Sequence, residues 1–376
     1  MSSIYIHIPF CKKKCYYCDF YSVSSIKNKE KYINAIIKEL QLQNDYLINE
    51  KIETIYFGGG TPSLLSIEEI NKIINSIYLH YSISDNPEIT IEANPDDLDY
   101  NYLKSLISLK INRLSIGIQS FDDKDLKFLN RRHNSAQAIS SVKLAQNAGF
   151  ENISLDLIYG LPEMTLSKWE RNLVKAFELN IQHISAYHLT IEEKTVLNNY
   201  LSKSKFKPIE ESQSIEQYKK LLYYAKMNNY IHYEISNFCK SGFFSIHNSN
   251  YWKQKKYLGI GTSAHSYNLS SRQWNIKNIE KYISSIENGI IPCEAEQLDD
   301  KTKYNDYILT TLRTMWGADL NYIKKTFGDS IYEYCLINAG KYIDNKHIIL
   351  NNNILILTEE AKFISDKIIC DLFLVV

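Results

Sequence analysis

Between Ile4 and Leu189 the chain repeats one pattern six times: an apolar run of strand length, then a segment with helical spacing. The runs are residues 4–8, 54–57, 88–92, 113–118, 152–158 and 183–189. Between them, residues 27–49 set Ile33, Ile36, Ile37 and Leu40 on one face, and Ser66 with Glu69 three residues later reads as a capping box. Further helices are predicted up to residue 109, through 129, over 136–148 and from Ser167. Parallel strands cannot be joined by a tight turn, and a helix is the usual right-handed crossover. Six alternations therefore restrict this stretch to an α/β fold, a parallel sheet rolled into a full or partial (β/α)6 barrel.

In such a barrel the residues at the C-terminal strand ends converge on one mouth. Here those ends are polar and chemically distinct: a cysteine loop, then Gly58-Gly59-Gly60-Thr61-Pro62, Glu92, Gln119, Asp156 and His188. The loop reads Cys11-Lys12-Lys13-Lys14-Cys15-Tyr16-Tyr17-Cys18, and thiolates so close suit one soft-metal centre. Two centres compete. A four-iron cluster held by three cysteines leaves one iron free to bind something else, whereas structural zinc closes with a fourth ligand, for which His7 is at hand. The glycine run lets backbone approach a ligand closely, and it is not a phosphate loop because no Gly-Lys-Ser/Thr follows.

The C-x3-C-x2-C spacing with Tyr17 just before the last cysteine resembles the signature of radical S-adenosylmethionine (SAM) proteins. Such chemistry needs SAM's amino and carboxylate groups fixed on the open iron before the bond breaks. Glu92 and Asp156 have the chemistry to accept hydrogen bonds from a ribose diol or an ammonium, and Arg131, after Asn130, to pair with a carboxylate.

Composition narrows the partners. Among 376 residues, 43 are Lys or Arg and 43 are Asp or Glu, so net charge of +0 offers no general field for nucleic acid. Beyond the cysteine trio, Cys239, Cys293, Cys335 and Cys370 are scattered without a disulfide framework, which with the absence of signal-peptide character at the N-terminus predicts a cytoplasmic location. After residue 200 the alternation stops. Residues 201–208 read as a linker or exposed loop, and 211–228 as a helix. Residues 232–238, 247–252 and 257–267 read as short strand-like or irregular pieces. From residue 299 three helices, a hairpin around residues 351–353 and a last helix predict a C-terminal helical, winged-helix-like domain. It has no concentrated basic helix, so a packing or partner role is expected, with the apolar tail 368–376 packed against it. The expected organisation is a core barrel over 1–200, a barrel-completing and connecting region over 201–298, and this domain over 299–376.

Residues 5–11, the cysteine trio, Phe57-Gly58-Gly59-Gly60-Thr61-Pro62, Gly117-Ile118-Gln119, Asn130-Arg131 and Asp156 to Pro162 together resemble the oxygen-independent coproporphyrinogen III oxidase family of radical SAM proteins. The resemblance implies an incomplete six-stranded barrel, a [4Fe–4S] cluster on Cys11, Cys15 and Cys18, and SAM contacts from Tyr5, Tyr17, Gly59, Gly60, Thr61, Glu92, Gln119, Arg131 and Asp156. The true oxidase carries a fourth cysteine two residues after the third, where this chain has Phe20, and an N-terminal arm that is absent here. Both departures point to the heme chaperone branch, whose His-Asn-x-x-Tyr-Trp motif stands here as His247-Asn248-Ser249-Asn250-Tyr251-Trp252.

By that resemblance the chain binds heme and delivers it to a respiratory-chain acceptor, with His247, Asn248, Tyr251 and Trp252 as heme contacts. It needs an electron donor where SAM is cleaved, and peripheral membrane contact stays open. Imidazole is a common axial ligand and Tyr and Trp offer flat apolar faces, although a histidine before an asparagine is more often a hydrogen-bonded turn residue. The enzymatic alternative is oxidative decarboxylation of coproporphyrinogen III by radical SAM chemistry. Lys12, Lys13 and Lys14 are expected near the mouth, offsetting cluster charge and attracting propionates.

Overall fold

The structure is a computed structural model and describes residues 1–375. Strands β1 (Ser2–Ile8), β2 (Lys51–Gly59), β3 (Ser82–Ala93), β4 (Arg113–Gln119), β5 (Ile153–Tyr159) and β6 (His183–His188) pair in parallel in that order. The crossovers are α1 (Lys29–Leu42), α2 (Ile67–His80), α3 (Tyr100–Ser108), the pair α4 (Asp123–Phe128) and α5 (Ser135–Ala148), and α6 (Leu166–Glu178). Local signals set their ends. Ser66 and Glu69 form the capping box at α2, Asn134 and Gln137 form another at α5, and Gly149 closes α5 at φ +105°.

The later chain extends the arc at both edges. After α7 (Val196–Ser202) and α8 (Glu211–Met227), β7 (Ile231–His232) and β8 (Asn237–Cys239) continue the sheet antiparallel beyond β6. Helix α9 (Ile246–Trp252) then leads to β9 (Tyr257–Ile260), which lies parallel to β1. From there β10 (His265–Tyr267), β11 (Ser271–Asn275), α10 (Ile279–Glu287) and β12 (Cys293–Gln297) complete a 12-stranded sheet. Its two edges do not pair, so the barrel is open.

Two expectations are corrected here. Residues 247–252 are helical, because Ser245 caps Asn248 N–H and both Glu88 carboxylate oxygens take the N–H groups of Ile246 and His247. The stretch predicted as a loop begins inside α7, capped by Thr195. One hydrophobic core runs under the sheet from Ile4 to Ile286. A second spans Tyr304 to Leu372, formed by α11 (Asp300–Thr311), β13 (Ala318–Asp319), α12 (Leu320–Phe327), α13 (Asp329–Asp344), β14 (Ile348–Asn351), β15 (Ile354–Leu357) and α14 (Ser365–Asp371). Strand order β13-β15-β14 gives the small sheet of a winged-helix-like unit. Ile368, Ile369 and Leu372 of the apolar tail are buried in it, while Val376 lies outside the described residues.

Candidate functional site

The strand ends of β1 to β6 open into a cavity of about 1080 Å³. Cys11, Cys15 and Cys18 line it, as do Tyr5, Tyr17, Gly59, Gly60 and Thr61. Glu92, Gln119, Arg131 and Asp156 line it too, so every one of these residues singled out from the sequence meets in one place.

The cysteine loop is clamped from several sides. Val23 N–H donates to Pro9 O (2.7 Å) and Cys11 N–H to Val23 O (3.0 Å), folding the loop back on β1. Asn130, at φ +63°, donates from its side chain to Lys14 O (2.8 Å), and Tyr16 N–H donates to Leu129 O (3.2 Å). Thr61 Oγ1–H points at Cys11 Sγ (3.4 Å) and Arg131 Nη1–H at Cys15 Sγ (3.3 Å). Burial pushes the Cys11 thiol up and the Cys18 thiol up to about 11, so each must lose its proton on metal binding.

The glycine run has a reason that the sequence did not show. A Cβ on Gly60 would sit 2.8 Å from the carbonyl of Phe10, and one on Gly59, at φ +109°, would sit 2.6 Å from the His7 ring. These glycines let β2 end hard against the root of the cysteine loop, as well as leaving backbone open to the cavity.

Glu92 on β3 and Asp156 on β5 both face the cavity, with β4 between them. Tyr56 hydroxyl and Gly59 N–H donate to the two Glu92 oxygens (2.9 and 3.2 Å), and Ser115 donates to Asp156 (3.3 Å). Burial raises Glu92 to about 7 and Asp156 to about 6, and the Asp156 charge adds to the rise of Glu92. Arg131 also donates to Asn94 and to Gly117 O (2.5 Å each), yet its Nε has no partner. An unpaired guanidinium nitrogen at the cavity suits an anionic ligand.

Among the described residues no three His, Cys, Asp or Glu side chains converge closely enough for a single metal ion. Three cysteine thiols at one mouth supply the soft sulfur donors that an iron–sulfur cluster takes. His7 does not serve as a fourth ligand here, since its ring nitrogens face Tyr5 hydroxyl (3.2 Å) and Tyr21 O (3.0 Å).

The His-Asn-x-x-Tyr-Trp motif divides. Tyr251 and Trp252 line the cavity, but His247 and Asn248 do not. His247 is 1% exposed, with Nδ1 2.7 Å from Thr54 Oγ1, Nε2 2.9 Å from Tyr251 hydroxyl, and its ring stacked on Tyr56 at 4.8 Å. It is a core residue of the barrel floor with both nitrogens engaged. Lys13 and Lys14 reach the mouth, whereas Lys12 turns away to Asp97 (2.7 Å).

Sequence reasoning missed the wall that lies beyond the β1 edge of the parallel strands. His265, Tyr267, Arg272 and Lys277 come from β10, β11 and the residues just after, and Asp306 and Thr310 come from α11. The signal that was present is Gly259-Ile260-Gly261 before His265, a glycine pair in a strand marking close backbone approach.

Comparison with known proteins agrees with this architecture. Residues 5–175 match the family model of the radical SAM superfamily. The chain is 34% identical to the heme chaperone HemW of Bacillus subtilis (strain 168), over 98% of each chain. The chain belongs to the HemW family. The heme chaperone HemW of Escherichia coli (strain K12) is 37% identical across 70% of this chain and 69% of its own. In fold, the chain is similar to coproporphyrinogen III oxidase (HemN) from Escherichia coli, with a TM-score of 0.84, 20% identity, and coverage of 99% and 89%. HemW membership and the oxidase-like fold thus meet in one chain, and no helix among the described residues is long and apolar enough to cross a membrane.

Proposed function

We propose that this protein is a heme chaperone that binds a [4Fe–4S] cluster on Cys11, Cys15 and Cys18, SAM beside it, and heme as cargo for a respiratory-chain acceptor. The observation that carries the reading is the cavity itself. Its volume of about 1080 Å³ lies at the top of the range for a single small ligand, leaving room for more than one. Phe20 stands at its rim, 69% exposed, where the oxidase of the resembling family has a cysteine.

Within this reading Arg131 faces the SAM carboxylate, Glu92 and Asp156 accept from its hydroxyls or ammonium, and Tyr5, Gly59, Gly60 and Gln119 shape the surface against which it lies. Glu92 near pKa 7 is poised to shed its proton when a cationic donor arrives. Thr61 and Tyr17 pack beside the thiolates. When bound together, cluster and SAM supply one-electron reductive chemistry, for which an electron donor is the required partner.

The test is anaerobic reconstitution with iron and sulfide, then hemin titration and coproporphyrinogen III conversion with SAM and a reductant on the same sample. Hemin binding without conversion is the expected result. Conversion to protoporphyrinogen would overturn it in favour of the oxidase.

A further inference from the structure

We infer that His265 is the axial ligand for the heme, on the wall that β10, β11 and α9 build beyond the β1 edge of the parallel strands. The inference rests on the chaperone reading and assigns the iron contact within it.

Three imidazoles line the cavity: His7, His188 and His265. His7 is held at both ring nitrogens, and His188 Nε2 lies 3.0 Å from Ser214 Oγ. Among the described residues His265 makes no side-chain hydrogen bond, and its ring is exposed to the cavity, lying over Trp274 at 6.1 Å. Imidazole is a frequent axial ligand, and it ligates in the neutral form. Burial, then Lys277 and Arg272, lower the His265 pKa and so favour that form.

The backbone of His265 is fixed as a ligand's should be. A Cβ on Gly259 would meet His265 O at 2.1 Å, so the glycine alone lets β9 and β10 lie this close. Ahead of it, buried Glu39 accepts from Gly261 N–H (2.8 Å) and from Asn275 Nδ2 (2.7 Å), tying the 261–264 turn to α1 and β11. The same wall presents flat aromatic surface, namely Trp252, Tyr257 and Tyr267. Trp252 Nε1–H is buried without a partner. Arg272 is engaged by Glu296 (3.0 Å) and Asp306 (3.4 Å), whereas Lys277 has no carboxylate within ion-pair distance among the described residues and suits a propionate.

Hemin is titrated into the reconstituted full-length protein and its variants, following the Soret difference spectrum and the ferric heme EPR signal. His265→Ala is expected to weaken binding by about tenfold or more, comparable to other losses around a metal site. His265→Gly should regain the wild-type spectrum with added imidazole, and His265→Cys should convert it to a thiolate-ligated one. His188→Ala should leave the spectrum unchanged. Iron and sulfide content of each variant reports folding independently of heme. If wild-type protein binds no hemin, the chaperone reading falls. If it binds hemin and the Ala, Gly and Cys variants keep its affinity and spectrum, the His265 assignment alone falls.

Discussion

The two walls of the cavity are built by different rules. On one side, Cys11–Cys18, Gly59, Glu92, Gln119 and Asp156 sit at the ends of β1 to β5, each placed by the next step of one repeating crossover. On the other, Trp252, Tyr257, His265 and Arg272 sit on short elements, several of which belong to no repeat, and Asp306 sits on the longer α11. The first wall carries thiolates, carboxylates and a guanidinium, the second aromatic faces and an unpaired imidazole. A parallel sheet delivers its strand ends to one mouth by topology alone. The second wall needs contacts far apart in sequence, such as Glu39 with Gly261 and Asn275, before its side chains face the same space.

If the first wall holds the cluster and the second does not, the sharpest break between them is Cys15→Ala. Iron affinity should fall by more than about 100-fold, since even outer-shell changes cost ~10–100-fold in metal affinity, and iron and sulfide content after reconstitution should drop with it. Trp252→Ala should leave iron and sulfide content as in wild type. Equal iron in both variants, measured after identical reconstitution, would dissolve the contrast.

The floor between the walls comes next. His247→Ala removes a ring packed on Tyr56 and strands Thr54 and Tyr251 hydroxyls in the core. The loss should be about 2–4 kcal/mol of unfolding free energy, summing a cavity and unpaired buried groups. Denaturant titration measures it. Unchanged stability together with lost hemin binding would return His247 to the ligand role.

This contrast also explains what the sequence revealed. The six strands, the Ser66–Glu69 cap and the convergence of Cys11, Glu92, Gln119 and Asp156 were readable because each follows from local pattern plus barrel topology. The fate of His247 was not, because its burial depends on Glu88 and Thr54, which lie more than a hundred residues away in the chain. Residues 246–252 hide their helix for the same reason: Ser245 caps it, but a carboxylate from β3 completes the N-terminus. His265 lay in a segment read only as short strand-like or irregular, and the glycine spacing before it was the one hint of a tight strand pair.

Glu92→Gln probes the charged wall more gently. Burial raises Glu92 from 4.5 to about 7, so the folded state binds its proton more tightly than the unfolded chain. Its stabilising contribution is complete below about pH 4.5 and is lost as pH rises through about 7. The glutamine variant keeps an uncharged side chain throughout. In ligand-free protein it should gain on wild type by about 1–2 kcal/mol between those limits, after discounting for a carboxylate that faces a solvated cavity. Melting temperatures across that range test this, and parallel curves for the two proteins would show that Glu92 is not so shifted.

The smallest effect is expected at the rim, where the two walls share one electrostatic mouth. Lys12 is held by Asp97, which Arg132 also pairs at 3.0 Å, so its charge is locally balanced. Lys13 and Lys14 line the mouth, exposed, with no carboxylate at ion-pair distance among the described residues. Replacing both by glutamine should slow hemin association about two- to fivefold at low salt, through lost steering of the propionates. The difference should fade toward about 1 M salt, where screening acts within ~3 Å. Lys12→Gln should behave as wild type at every salt concentration. Stopped-flow hemin binding separates the cases. A double variant whose rate matches wild type across the whole salt range would mean that approach to the cavity is governed by the aromatic wall and owes nothing to the charge beside the cysteines.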